Sequence, residues 1–461
     1  MSDGGTELNA PLCSYDRSPD RGYRASALDP SPLNDRPYII LTFSGGGTRA
    51  AAFALGALTA LREITLLDAA QQGKTLLDNV QVISSVSGGS FTAAYYAAFG
   101  NQIFGHCTSL QCGDLNKADP FYKKMLYRNI QKELALNGLW PPTNLLRRSE
   151  ATADLYSRTV FEGKRYQSLF EPGDTGRPRQ PLIVLNSTDI SMENRFEFTQ
   201  DQFDYLCSDL SQLPIGVAVA ASAAFPLLLD PIPLRHYGWS KCGYEKPGWL
   251  ANAMKSYIDN PRRYMKGQYL LSFGESERRY VHLLDGGLAD NIGLRGPLEA
   301  VRTGDRPGVG GWRLLERTNN GDVRRIVIVS VDAKTIHRAD WDCCRQPPGF
   351  FTQFTVTTSV SQSNYSFETL ELWREEAALE QARAKANPGV QAFLPEYDDV
   401  VVGFDGADEK TRNYLFDLPT TFALSQSDVD LLVHWGHDIV KSSPTIKALC
   451  QKWGGCAGLG Q

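Results

Sequence analysis

A short apolar run, Tyr38-Ile39-Ile40-Leu41-Thr42-Phe43, breaks on Ser44-Gly45-Gly46-Gly47 and passes directly into Thr48 to Ile64, a stretch dense in Ala and Leu. No other feature of the chain constrains the fold as much. An apolar run of this length without polar alternation suits a buried strand, and strand, glycine loop and helix make one α/β unit. A second unit follows at once: Asn79 to Ser84 reads as a strand, Ser85 to Ser90 as a tight turn, and Phe91 to Phe99 as a helix of small residues. Leu182 to Asn186, Val281 to Leu284 and Arg325 to Val331 are further candidate strands. Continuous apolar strands alternating with helices predict an α/β fold with a central, mostly parallel sheet covered on both faces.

The rest of the chain is less patterned. Residues 1–36 are rich in Pro, Asp, Ser and Arg and read as an extended arm. Residues 120–170 are amphipathic and helical, and 366–386 read as a surface helix rich in Glu, Ala, Leu and Arg. Ser425 to Ser442 opens on a capping-type serine and carries an apolar stripe. At 461 residues, 42% hydrophobic and 21% charged, the chain has the composition of a folded globular protein.

Composition also bounds the function. The net charge of −5 excludes nucleic acid as the main partner, since phosphate neutralisation calls for a basic excess. The longest apolar stretches, Ala50 to Leu61 and Gly216 to Leu229, fall short of the roughly 18–20 residues of a membrane span. The amino terminus has no apolar signal core, which points to a cytoplasmic or peripheral membrane protein. A trimmed signal would instead place it in the cell envelope or outside the cell. Of nine cysteines, Cys107 with Cys112 and Cys450 with Cys456 are spaced to close small loops in an oxidising compartment. His106, Cys107 and Cys112 lack a second ligand pair at metal spacing, so no metal is expected.

Three motifs carry chemistry. In Ser85-Val86-Ser87-Gly88-Gly89, Ser87 stands at the apex of a strand-to-helix turn with small residues two before and two after it, as an exposed nucleophile requires. Gly45-Gly46-Gly47-Thr48-Arg49 lets backbone N–H groups converge on an anion or oxyanion. It lacks the Gly-Lys-Ser/Thr ending of a phosphate loop and the glycine spacing of a dinucleotide fingerprint. What remains is an oxyanion loop, or a structural turn tied down by Arg49. Leu284-Asp285-Gly286-Gly287 places an Asp at a strand end, either directed into the ligand crevice or starting a plain turn. Asp290 and Asn291 are expected to cap the next helix.

These motifs, with Ala221-Ser222-Ala223-Ala224-Phe225-Pro226 between the elbow and the Asp, stand in the order found in the patatin-like phospholipases, which the chain resembles over roughly residues 37–335. The departure is Ser85, where the family's elbow has glycine. The resemblance implies a three-layer α/β/α patatin-like fold and a Ser–Asp dyad without a catalytic histidine. It assigns Ser87 as nucleophile and Asp285 as base, with Gly45, Gly46 and Gly47 as the oxyanion hole and Arg49, Gly89 and Gly286 in support. With the extent of that resemblance, the chain is expected to divide into the arm (1–36), a core (37–335, with an insertion at about 241–279) and a mainly helical region (336–461) packed on the core, the last matching no motif of the family.

The function so implied is hydrolysis of carboxylic esters of lipids, of phospholipase A, lysophospholipase or lipase type, with no cofactor. The alternatives are a small-ester carboxylesterase and a catalytically silent lipid-binding protein of the same fold. The expected partner is a phospholipid or other lipid ester, with peripheral membrane contact. Residues 241–279 fit that contact: they hold eight Lys/Arg against four Asp/Glu, interleaved with Tyr244, Trp249, Tyr257, Tyr264, Tyr269 and Phe273. A solvated insertion covering the sheet would read the same way. A free Asp is a weak base at neutral pH, so burial beside Val281 to Leu284 is expected to raise its pKa. His282, three residues before Asp285 on a strand, is expected to face away from it.

Overall fold

The continuous apolar runs become strands buried on both faces: every residue of Tyr38–Phe43 and of Val80–Val86 is buried. The computed structural model describes residues 7–460 apart from 17, 19–20, 29–30, 32, 34–35, 69–72, 106–119, 135–147, 227–228, 276, 303–311, 313, 337–344, 346, 348 and 387–394. The loop proposed for Cys107 and Cys112 lies outside the described residues.

Eight strands form the central sheet: β1 (Tyr38–Phe43), β2 (Val80–Val86), β3 (Leu182–Asp189), β4 (Asn194–Glu197), β5 (Ile232–Arg235), β6 (Tyr280–Asp285), β7 (Arg325–Asp332) and β8 (Glu396–Gly403). Their order is β5-β6-β3-β2-β1-β7-β8, with β4 paired to β3. The pairings from β3 through to β8 are parallel, whereas those of β4, β5 and β6 are antiparallel. The sheet is therefore mixed but mostly parallel, with helices packed against it.

The register of β3 sets up everything that follows. Val86, the last residue of β2, lies beside Asn186, and Asp285, the last residue of β6, lies beside Ser187. A parallel and an antiparallel neighbour thus end at adjacent positions of one strand.

The helices used below are α1 (Gly47–Glu63), α2 (Ser87–Phe99), α3 (Arg148–Thr159), α4 (Ile215–Ser222), α5 (Pro261–Ser272), α6 (Gly287–Asp290), α7 (Arg295–Arg302), α8 (Phe350–Ala386) and α9 (Gln426–Ser442). Helices α1 and α9 cross at backbone contact. A methyl group on Gly56 would lie 2.1 Å from Val433 O, and one on Gly436 2.3 Å from Phe53 O. Only glycine permits that approach. Ser425 caps α9, its side chain accepting from Asp428 N–H.

The carboxy-terminal region gives more than helices. It supplies β8, the parallel neighbour of β7, and α8 begins at Phe350, well before the expected 366. At the other end, Ala10–Pro11 of the arm pairs with Ser208–Asp209, and Tyr23 is buried with its hydroxyl accepting from Ile183 N–H at 3.1 Å. Cys450 and Cys456 are bonded, and Cys207 is bonded to Cys242, a pair the spacing did not suggest.

Candidate active site

Ser87 follows the last residue of β2 and begins α2 with φ of +49°, a left-handed backbone that non-glycine residues rarely adopt. The strained turn lifts the side chain off the strand end, as a nucleophile elbow does. Its flanks must be small. A methyl on Gly88 would lie 2.0 Å from Gly47 O, and one on Gly89 2.7 Å from Phe43 Cβ. Ser85, standing where the family has glycine, is fully buried, and its hydroxyl accepts from Ser90 Oγ at 3.2 Å. The elbow absorbs that hydroxyl into a hydrogen-bonded group.

Ser87 Oγ donates to Asp285 Oδ2 at 2.7 Å. Gly287 N–H donates to the other carboxylate oxygen at 2.8 Å, and Thr188 Oγ1 donates to the Asp285 carbonyl at 2.8 Å. Both members of the pair are buried, Ser87 6% and Asp285 4% exposed. Burial pushes the Asp285 carboxyl up to about 6, while the N–H of Gly287 and the hydroxyl of Ser87 pull it back down. The carboxyl therefore gains basicity and is still ionised at neutral pH.

The Ala221–Pro226 block, which carries no obvious chemistry in the sequence, fixes both groups. Ser222 Oγ accepts from Ser87 N–H at 2.9 Å and donates to Asn186 O at 2.7 Å. From the same block, Ala224 O accepts from Asp285 N–H at 2.9 Å and Ser222 O from Gly286 N–H at 3.1 Å. Gly286 is small of necessity, since a methyl there would lie 2.3 Å from Asn186 O. The sequence marks this block by its small residues and gives no sign of the role of Ser222.

The glycine loop abuts the elbow: a methyl on Gly45 would lie 3.4 Å from Ser87 Cβ. Gly45 N–H is donated to Asn291 O at 2.9 Å and Thr48 N–H to Thr421 O at 2.9 Å. Gly45 therefore leaves the expected donor set, and Gly46 and Gly47 remain, the cap and first residue of α1, whose N–H groups have no acceptor within the helix. Asn291, expected as a cap, instead braces this loop. Asp290 does cap α7, its carboxylate accepting from Leu294 and Arg295 N–H.

Arg49 is 2% exposed and donates to Ala333 O at 2.9 Å, Leu418 O at 2.7 Å and Thr420 Oγ1 at 3.1 Å. Burial lowers it to about 10, with Asp332 opposing that shift. Arg49 thus ties the loop to a carboxy-terminal strap, residues 418–422, whose Phe422 ring lies 5.7 Å from Phe91 of α2. No sequence motif marks this strap.

None of the described histidines bonds the pair. His282 is exposed on β6, His236 Nδ1 lies 3.0 Å from Arg278 O, and His437 bonds Glu63. The described residues hold no cluster suited to a metal. Two cavities of about 440 and 280 Å³ lie elsewhere, against the amino-terminal arm.

Comparison with known proteins agrees with the motif order. The family profile of the patatin-like phospholipases matches residues 41–298, more than half of the chain. Among solved structures, human GIVD cytosolic phospholipase A2 is similar at 12% identity with a TM-score of 0.38, over 98% of this chain and 66% of that one. VipD from Legionella pneumophila is similar at 11% identity with a TM-score of 0.30, over 95% of this chain and 71% of that one. The chain thus spans just under two thirds of the human enzyme's length. No curated protein sequence matches it. With the profile running through the glycine loop, the elbow, the Ala-Ser block and Asp285, the chain belongs to the patatin-like phospholipase family.

Proposed function

We propose that the chain is a lipid acyl hydrolase that cleaves carboxylic esters through Ser87 and Asp285. The observation that carries this reading is the 2.7 Å bond from Ser87 Oγ to a buried carboxylate, made at a strained elbow beside a glycine loop. Asp285 takes the hydroxyl proton as Ser87 Oγ attacks the ester carbonyl. The Gly46 and Gly47 N–H groups stabilise the oxyanion so formed, helped by the positive end of the α2 dipole. The tetrahedral intermediate collapses to an acyl-enzyme, and Asp285 returns its proton to the departing alcohol or lysolipid. Water, deprotonated by Asp285, then attacks the acyl carbonyl and frees the fatty acid, and the proton goes back to Ser87.

Among the described residues the site holds one base and no histidine, so the same carboxylate serves both half-reactions. A pKa near 6 suits it: ionised at pH 7, yet a stronger base than a free Asp. The Cys207–Cys242 and Cys450–Cys456 disulfides support an oxidising compartment, and so the cell-envelope or secreted alternative over the cytoplasm.

The test is hydrolysis of p-nitrophenyl esters of increasing chain length and of a mixed phospholipid by wild type, Ser87→Ala and Asp285→Asn. Wild-type turnover that rises with chain length and vanishes in both variants supports the proposal. A preference for short esters favours the carboxylesterase alternative. Activity that survives Ser87→Ala contradicts the mechanism.

A further inference from the structure

Helix α8 is the crossover between the parallel strands β7 and β8, and it is far too long for that task. Its 37 residues span about 55 Å at 1.5 Å per residue. The strands it joins have eight residues each, about 27 Å. Contacts fix where the excess lies. Trp373 packs 5.5 Å from Tyr397 and Arg374 pairs with Asp399 at 3.2 Å, so this stretch lies along the beginning of β8. Gln362 reaches α6, directly after Asp285, where a methyl on Gly287 would meet its Nε2 at 3.0 Å. The Arg295 guanidinium lies 4.5 Å from the Tyr365 ring centre. The helix thus passes the dyad near residue 362, and its first turns stand at the carboxyl-terminal edge of the parallel strands, the edge that carries Ser87.

Its charge divides at the same level. Phe350 to Phe367 contains no Asp, Glu, Lys or Arg, whereas the remainder carries Glu368, Glu371, Arg374, Glu375, Glu376, Glu380, Arg383 and Lys385. In the uncharged half Val360, Tyr365 and Phe367 are 52%, 51% and 62% exposed, with Val360 and Phe367 seven residues apart on one face. A solvated helix face is normally charged, and grouped exposed apolar side chains mark a contact surface. The basic insertion is the competing candidate, with Ile258 87% and Met265 60% exposed but most of its aromatics turned inward. Tyr244, Tyr269 and Phe273 are buried and Trp249 and Tyr264 half-buried, which leaves Tyr257 as the one exposed aromatic of the six.

We propose that the uncharged half of α8 docks the protein on a phospholipid bilayer surface, holding the Ser87 edge against the lipid. The proposal rests on the lipid-ester reading of the site for its purpose. Hydroxyl, amide and aromatic side chains without charge suit the headgroup region, and they make the contact independent of surface charge. Binding is then the same for zwitterionic and anionic bilayers and is insensitive to salt.

The test is co-sedimentation of the full chain carrying Ser87→Ala with vesicles of phosphatidylcholine, alone or with added phosphatidylglycerol. The expected result is equal binding to both, lowered about tenfold by Val360→Glu with Phe367→Glu and kept by Phe367→Leu. Melting temperature reports whether the Glu pair folds. Should it not fold, a polarity-sensitive dye on Phe367→Cys gives the same answer, with a blue shift on adding vesicles expected. Binding unchanged by the Glu pair, or lost only with Ile258→Glu in the insertion, overturns the proposal. So does a dimer in solution that the Glu pair breaks, because the face would then be covered by a second copy. Binding is read without the nucleophile, so its outcome is separate from that of hydrolysis. A protein that hydrolyses lipid but binds vesicles equally well with the Glu pair would lose this docking role and keep its proposed activity.

Discussion

Residues 41–298 and residues 299–460 build one sheet and one site, but they do so by different means. The first region works through small residues at backbone contact: Gly88 against Gly47, Gly89 against Phe43, Gly286 against Asn186. The second holds the glycine loop through single long-range ties: Arg49 to Ala333 O and Leu418 O, and Thr48 N–H to Thr421 O. Steric necessity leaves a local signature in sequence, because only glycine fits at these contacts. A carbonyl acceptor leaves none, because every residue has one. The family profile ends at residue 298, yet the glycine loop is held from beyond it.

That comparison orders the experiments. The largest effect belongs to the first region: Ser87→Ala is expected to lower kcat roughly 10⁴-fold or more with little change in melting temperature. Next, Arg49→Met should leave the carbonyls of Ala333 and Leu418 unpaired in the interior and cost about 2–4 kcal/mol. It should also lower kcat, because the glycine loop loses its strap. A variant with wild-type turnover would show that the carboxy-terminal ties are dispensable to the site. Gly436→Ala, far from Ser87 in α9, should cost about 1–3 kcal/mol by forcing α9 off Phe53 O. Its kcat, measured well below its melting temperature, should be nearly that of wild type.

The smallest effect is one of pH. The folded-state pKa of Asp285, about 6, exceeds its ordinary 3.8, so between those values the folded state holds more protons than the unfolded chain. Stability from this group is therefore greatest below the ordinary value and falls as pH rises towards 6. Asp285→Asn should be inactive yet slightly more stable than wild type at pH 8, as thermal melting would record. A less stable variant would mean that the carboxylate's bonds to Ser87 and Gly287 outweigh its burial.

Much of this architecture is legible in the residues themselves. Tyr38–Phe43, Val80–Val86 and Arg325–Asp332 are rich in apolar residues because neighbouring strands and helices cover both faces. Antiparallel β6 reads like a parallel strand, because apolar content does not encode direction. The first turns of α8 leave little signal in the sequence because Thr, Ser and Val are modest helix formers and no charge pattern marks their period. In the site, Ser87, Asp285 and the glycines announce themselves. Ser222, Asn186 and Asn291 do not, since each acts through a hydrogen bond that involves backbone distant in sequence. A glycine triplet does not reveal which of its N–H groups is already engaged, as that of Gly45 is by Asn291 O.

The measurement that bears most directly on the dyad is the pH dependence of inactivation by a fluorophosphonate, with the adduct located by peptide mass. The expected result is one phosphonyl group on Ser87, added at a rate that falls below an apparent pKa of about 6 as Asp285 takes up a proton, and abolished by Asp285→Asn. Labelling at another residue, or labelling of Ser87 that proceeds unchanged in Asp285→Asn, would contradict the account.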